Sequence, residues 1–262
     1  MNHTRPTGGP ARGRRSVALV TLAATLLIGP LQSESAASLC GTSPRGGPPS
    51  SAAATGLVED TTGVPVGVQA TEIRWVRWHN QVVYGDSTQL QGQVVTEDGA
   101  IPDANVDLLA RRAGSTSWTP IGSATTDHDT GVFTFSCLRP ELTTEYQAVY
   151  GGTLYYGRSE GTRRVAVARR VPDSMRQVAA DRFRFLGSVA PTYAGRPVLL
   201  QRKGCPSCRW TTVLRKNTSA RSGWAFTIDA STYSGSRWFR AAVPADASFA
   251  TGYSDRVWRL TS

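Results

Sequence analysis

From residue 72 onward, hydrophobic and polar residues alternate with a period of two. Leu90, Gly92 and Val94 fall on one side of one segment, and Val106, Leu108 and Ala110 on one side of the next. Successive side chains of a strand point to opposite faces, so this period predicts half-buried strands; a helix would space its apolar positions by three and four. Strands are predicted over 72–76, 88–95, 105–110, 118–125, 132–137, 146–150 and 163–167. Turn-forming clusters separate them, at Tyr84-Gly85-Asp86-Ser87, Glu97-Asp98-Gly99, Arg112-Ala113-Gly114 and Asp127-His128-Asp129-Thr130-Gly131. Turns roughly 8 to 12 residues apart are the mark of a β-sandwich.

The pattern then repeats. Leu90-Gln91-Gly92-Gln93 returns as Phe185-Leu186-Gly187-Ser188, and Val106-Asp107-Leu108-Leu109-Ala110-Arg111 as Val198-Leu199-Leu200-Gln201-Arg202. Ser117-Trp118-Thr119-Pro120-Ile121 returns as Arg209-Trp210-Thr211-Thr212-Val213, and Tyr146-Gln147-Ala148-Val149-Tyr150 as Phe239-Arg240-Ala241-Ala242-Val243. Two copies of one unit of about 90 residues, in the same order, predict two similar β-modules rather than one large enzyme core. Trp224-Ala225-Phe226-Thr227-Ile228 alternates as a core strand should, and the equivalence of Trp118 and Trp210 suggests packing within the sandwich.

Several of these segments together resemble bacterial immunoglobulin-like repeat domains of exported, actinobacterial type. They are Gly85 to Gly92, Ile101-Pro102-Asp103-Ala104-Asn105-Val106, Trp118 to Gly122, Thr125-Thr126-Asp127 with Gly131 to Phe135, and Thr144 to Ala148. The resemblance covers 68–168 closely and 172–260 more loosely, since the second copy lacks the Ile-Pro-Asp-Ala segment. It implies sandwiches used for spacing, display or adhesion, and no reaction, although a fold does not fix a function.

The first 37 residues have another character. Arg12, Arg14 and Arg15 precede an apolar run from Val17 to Leu31, and Ser35-Ala36-Ala37 supplies a small-x-small cleavage pattern, so 1–37 is expected to be a signal peptide with Ser38 as the mature N-terminus. The apolar run falls short of the roughly 20 residues that span a bilayer, and no stable membrane insertion is expected after cleavage. Arg14-Arg15 hints at a twin-arginine route, but Ser16-Val17-Ala18 lacks the usual aromatic, which leaves the export route open. Lipidation of Cys40 is the competing reading; Leu39 directly before it, with Ala37 and Ser38 upstream, puts the bulky residue in the wrong place. Residues 38–67, rich in Ser, Ala, Gly and Pro, are expected to be a flexible linker.

Charge changes the picture once this segment is set aside. The whole chain has 29 basic and 19 acidic residues; without Arg5, Arg12, Arg14, Arg15 and Glu34 the mature chain has 25 against 18, or +7. Residues 68–171 carry 10 basic and 11 acidic side chains, whereas 172–262 carry 14 and 5. The second module is the basic one, and its field attracts anionic polymers without specifying a sequence, so no specific nucleic acid is expected. Arg202, Lys203, Arg209, Trp210, Arg215 and Lys216 form the candidate polyanion or glycan patch. A solvated arginine-rich surface is the plainer alternative, because the chain uses only Lys203 and Lys216 as lysines.

Candidate chemistry is sparse. Only His79 and His128 follow the signal segment, and neither accompanies a nucleophile elbow, a His-Glu-x-x-His zinc pattern, a P-loop or a dinucleotide fingerprint. Asp127-His128-Asp129 with Gly131 resembles a calcium loop only superficially, since no late bidentate Glu follows; a hairpin turn is the simpler reading. Cys205-Pro206-Ser207-Cys208 reads as a structural staple, a redox pair or half of a zinc site. A redox pair needs a helix N-terminus and a zinc site a second nearby pair, so the staple is favoured. Four cysteines allow three pairings; the local pair leaves Cys40 with Cys137. Trp75 and Trp78, three apart, are expected on opposite faces of one strand; one exposed beside Arg74, Arg77 and His79 would offer a stacking surface for sugar rings or bases, but packing in the core or at the module junction is the favoured reading.

The expected molecule is therefore all-β: a signal peptide (1–37), a linker (38–67) and two tandem immunoglobulin-like β-sandwiches (68–171 and 172–262). It is expected to be secreted, non-catalytic and free of cofactor or metal. Its role is structural or adhesive, with binding of an anionic cell-envelope polymer or glycan as the alternative, and its partner an unknown protein or such a polymer.

Overall fold

A computed structural model describes residues 67–261. The expected signal peptide, most of the linker and Cys40 lie outside the described residues. No helix among those described is long and apolar enough to cross a membrane.

The first sandwich is built from eight strands: β1 (Glu72–Arg77), β2 (Gln81–Val83), β3 (Thr88–Val95), β4 (Asn105–Arg112), β5 (Thr119–Thr125), β6 (Val132–Leu138), β7 (Thr144–Tyr150) and β8 (Ser159–Ala168). One sheet has the order β1-β3-β6 and the other β2-β8-β7-β4-β5. The second sandwich follows with β9 (Asp173–Ala179), β10 (Arg182–Ser188), β11 (Pro197–Lys203), β12 (Thr211–Asn217), β13 (Gly223–Asp229), β14 (Ser236–Val243), β15 (Gly252–Tyr253) and β16 (Trp258–Thr261). Its sheets run β9-β10-β13 and β12-β11-β14-β15, with β16 also pairing β14. Three strands thus face five in each copy, and the order of equivalent strands is the same except at one edge, where β2 lies outside β8 in the first copy while β15 and β16 share β14 in the second.

The alternation seen in the sequence is what fills the two cores. Leu90, Val94, Val106, Leu108, Phe133, Ala148 and Val165 meet in the first; Phe185, Val198, Leu200, Phe226, Phe239, Ala241 and Val243 meet in the second. Each fully buried large side chain contributes about 1.5–3 kcal/mol. The repeat extends to the finest level of packing. Gly92 lies opposite Phe133 and Gly187 opposite Trp224, and a Cβ on either glycine would stand 2.5 Å or 2.6 Å from that ring. A bare backbone is what lets each aromatic lie across the neighbouring strand. The pairing of β4 with β5 slips by one residue after Leu108, and that of β11 with β12 slips after Leu200, so even the bulge is duplicated.

Two local expectations change. Trp75 and Trp78 both pack at the first core, as favoured, but not on opposite faces: the β1–β3 register shifts between Trp75 and Arg77, and Trp78 also turns toward that core. The Arg163 guanidinium carbon lies 4.6 Å over the Trp78 ring, and the indole N–H donates to Asn80 Oδ1 at 2.6 Å. β2, absent from the predicted strands, runs parallel to β8 and closes that edge of the sheet.

The sandwiches are joined by residues 169–172, and all four are held, the Pro172 carbonyl accepting from the Ser188 N–H at 3.2 Å. Arg169 is 5% exposed and donates to Asp246 Oδ2 at 2.8 Å, while Arg170 donates to the Tyr84 carbonyl at 3.0 Å and to Asp86. Val171, placed by the sequence at the end of the first module, is fully buried in the second core.

Candidate functional site

The outward face of the five-stranded sheet in the second sandwich gathers the cations. Val198 and Leu200 of β11 point into the core, so Leu199, Gln201 and Lys203 point out. On β14, Phe239 and Ala241 point in, so Trp238 and Arg240 point out. The register sets Lys203 opposite Trp238, Gln201 opposite Arg240, and Trp238 opposite Arg259 of β16.

These side chains stack in two groups. The Lys203 ammonium lies 5.0 Å from the Trp210 ring centre, and the Arg240 guanidinium carbon lies 4.3 Å from Trp210 and 3.8 Å from Tyr253. Arg259 lies 5.4 Å from the Trp238 ring. Arg240 Nε donates to Gln201 Oε1 at 2.8 Å, which fixes the guanidinium between its two rings. Burial in this sandwich lowers the pKa of Arg240 below that of a free arginine, against the opposing influence of Tyr253. Lys203 Nζ donates to the Pro206 carbonyl, inside the loop closed by the Cys205–Cys208 disulfide. That loop is the tip of the β11–β12 hairpin and not a helix terminus, so no helix dipole activates the pair as a redox centre. Cys137 is disulfide-bonded as well; Cys40, its expected partner, is outside the described residues.

The six-residue patch of the sequence divides between faces. Lys203 and Trp210 meet, and Arg215, paired with Leu199, shares their face. Arg202 pairs with Phe239 and turns inward, 4.7 Å over the Tyr233 ring; Lys216 pairs with the inward-facing Val198, and Arg209 is exposed beside the disulfide loop. Neighbours in sequence on a strand cannot share a face, so the pairs 202–203 and 215–216 had to separate. Trp238, Arg240, Tyr253 and Arg259 were missed. Alternation around Phe239 would have exposed the first two, whereas Tyr253 and Arg259 arrive through pairing that the sequence does not display.

Trp118 and Trp210 require a correction too: they belong to neither core, and both sit half-buried beneath cations on the outer faces. In the first sandwich Arg111 lies 4.6 Å over Trp118, but Glu145 binds its Nε at 3.0 Å and its Nη2 at 2.6 Å. The strand registers make Trp238 the counterpart of Glu145 and Lys203 that of Arg111. The strands of the five-stranded sheet in the first sandwich carry Arg111, Arg112, Arg163 and Arg164 against Asp107, Glu145 and Glu160. The equivalent strands of the second carry Arg202, Lys203, Arg215, Lys216, Arg237, Arg240 and Arg259 and no acidic residue.

The acidic turn at 127–131 satisfies itself. Asp127 Oδ1 accepts from the Asp129 and Thr130 backbone N–H groups and the Thr130 hydroxyl, and the Thr130 hydroxyl in particular lowers its pKa. His128 Nδ1 lies 2.8 Å from Asp103 Oδ2, and that hydrogen bond raises the imidazole pKa. No group of three or more metal-ligating side chains occurs among the described residues.

No family model matches the chain, and no curated protein matches it. Solved structures match at low similarity. A tetra-tandem repeat from the extending region of a large adhesion protein is 12% identical with a TM-score of 0.32, over 74% of this chain and 49% of that one. The human OSCAR ligand-binding domain is 13% identical with a TM-score of 0.27, over 74% and 100%. Salmonella alpha-2-macroglobulin reacted with methylamine is 10% identical with a TM-score of 0.35, over 76% and 17%. Such values carry no functional weight.

Proposed function

We propose that this protein is a non-catalytic exported spacer or adhesive unit whose two sandwiches act as one stiff element. The junction supports the reading. Arg169 and Arg196 both bind Asp246, at 2.8 Å and 2.9 Å, and the Arg169 guanidinium lies 3.8 Å over Phe249 and 4.7 Å over Tyr193. Burial pushes the Asp246 carboxyl up, but the Ser248 N–H, Arg169, the Phe249 N–H and Arg196 together bring it below the usual carboxylate range. The loop carrying Asp246 reaches back onto the first sandwich, where the Thr143 N–H donates to the Ser248 carbonyl at 2.9 Å and the Ala250 N–H to the Val167 carbonyl at 2.8 Å. Domain connections of low contact leave neighbours free to move, and this one ties them with an ion pair to the buried Arg169 and a shared ladder. Small-angle scattering of the exported protein tests the reading. One inter-sandwich geometry is expected to fit the curve, and a curve that requires a broad range of angles would overturn it.

A second reading is favoured by the unneutralised strands of the second sandwich: binding of an anionic cell-envelope polymer. Cations without acidic partners concentrate a field that draws polyanions, and such binding weakens with salt.

A further inference from the structure

The geometry points to an acidic polysaccharide, carrying carboxylate or sulfate groups, as the occupant of the outward face of the second sandwich's five-stranded sheet. Lys203, Arg240 and Arg259 are its charge contacts, and Trp210, Trp238 and Tyr253 are the walls between them. This inference rests on the second reading above and narrows it to one face and one class of polymer.

Three observations carry it. The first is the exchange of Glu145 for Trp238 at one register position. In the first sandwich the carboxylate neutralises the Arg111 above Trp118; in the second, neither Lys203 nor Arg240 nor Arg259 has an acidic side chain within 4.0 Å among the described residues. A ring that replaces a carboxylate leaves the cations beside it without an acidic partner on that strand and open to an anionic ligand. The second is preorganisation. Arg240 is clamped between Trp210 and Tyr253 and tied to Gln201, Arg259 is tied to Ser236 Oγ at 3.1 Å and 2.8 Å, and Lys203 is tied to the disulfide-closed loop. Side chains already held in place lose little freedom when a ligand arrives. The third separates a sugar polymer from a nucleic acid. Single-stranded nucleic acids stack their bases on open aromatic faces, but the faces of Trp210 and Tyr253 already carry cations. A row of cationic N–H donors lies beside these rings on adjacent strands. That fits anionic groups spaced along a flexible chain.

Affinity of the full exported chain for dextran sulfate and for polygalacturonate, with neutral dextran and single-stranded DNA alongside, tests the inference. Both acidic polysaccharides are expected to bind with an affinity that falls as salt rises, neutral dextran not at all, and DNA more weakly than either. The double variant Arg240→Gln/Arg259→Gln is expected to bind dextran sulfate at least roughly tenfold more weakly, as expected for lost charge-assisted hydrogen bonds. Lys203→Gln/Arg259→Gln, which leaves the Arg240 clamp intact, guards against misfolding and is expected to weaken binding as well. Arg111→Gln/Arg164→Gln on the first sandwich is expected to leave it unchanged. Absence of binding to any polyanion would overturn the second reading and this inference together. Salt-sensitive binding that both second-sandwich variants retain, or that Arg202→Gln/Lys216→Gln abolishes instead, would overturn this face alone. Tighter binding of DNA than of the polysaccharides would overturn the polymer class.

Discussion

The two sandwiches share strand order, register slips and glycine–aromatic contacts, yet they differ on their outer five-stranded faces and in the loops at their ends. The first face is balanced: Arg111 stacks on Trp118 and is neutralised by Glu145. The second keeps the stack and loses the acid, because Trp238 stands where Glu145 would be. A similar contrast holds between loops. The 244–251 loop of the second sandwich grips the first through Asp246, Ser248 and Ala250, and the equivalent 151–158 loop grips the chain entering its own sandwich, with the Gln69 N–H donating to the Tyr155 carbonyl and the Gly157 N–H to the Gln69 carbonyl, both at 2.8 Å. One scaffold was thus differentiated by changing side chains outside the core while the interior pattern stayed the same.

The largest expected effect breaks the junction that distinguishes the second loop from the first. Asp246→Ala leaves the buried Arg169 uncompensated and should cost about 3 kcal/mol, read as a lower midpoint in denaturant. Unchanged stability would show that the modules do not depend on one another. Next come the equivalent glycines. A Cβ at Gly187 would meet the Pro172 carbonyl at 2.3 Å as well as Trp224, whereas at Gly92 the closest obstacle is the Phe133 ring. Gly187→Ala is therefore expected to destabilise more than Gly92→Ala, by about 2 kcal/mol against about 1. Thermal melting of the two variants compares the sandwiches directly; equal losses would show that the backbone near Pro172 yields.

Removing the disulfide that only the second hairpin possesses, by Cys205→Ser/Cys208→Ser, releases a short loop and should cost about 2 kcal/mol on the chain-entropy view. Hydrogen exchange is expected to rise at the β11–β12 tip and to stay constant at residues 113–117 of the first hairpin. Smaller still is an alkaline difference. Burial raises Tyr146 to about 12, and its counterpart in the second sandwich is Phe239, which does not titrate. A pKa raised by folding means that stability is full below about pH 10 and is lost as pH climbs toward 12. Tyr146→Phe should flatten that loss, as followed by circular dichroism. The smallest effect belongs to His128. Its raised pKa means that the Asp103 contact favours folding below the free imidazole value and fades as pH rises through the folded one, so His128→Asn should remove a slight pH dependence near neutrality.

The interior was readable because burial imposes a period. All seven predicted strands of the first sandwich coincide with β1 and β3 to β8 within a few residues, and Val106, Leu108, Val198 and Leu200 are in the cores where alternation put them. β2 escaped because three residues cannot display a period, and its parallel pairing with β8 joins segments more than 80 residues apart. The shift at Trp75–Arg77 escaped because a bulge leaves no compositional trace, and it reversed the side on which Trp78 falls. The outer face was half readable. Lys203 and Trp210 lie close in sequence, but Arg240, Tyr253 and Arg259 join them only through β14, β15 and β16, and Arg202 and Lys216 were grouped by adjacency that the pleat undoes. Arg169 and Asp246, 77 residues apart, belong to a contact that no local pattern announces.

The connector between the sandwiches has a consequence for how such a chain can be cut, shuffled or extended. Arg169 serves the junction, Arg170 serves the first sandwich and Val171 serves the second core, so function changes hands at every residue. An insertion of a single residue here would carry the valine out of its core or the arginine off its aspartate. A cut at 171/172 would leave one product with an orphaned cation and the other without part of its interior. The heritable unit, the piece that can be moved into another protein and still fold, is the pair of sandwiches together.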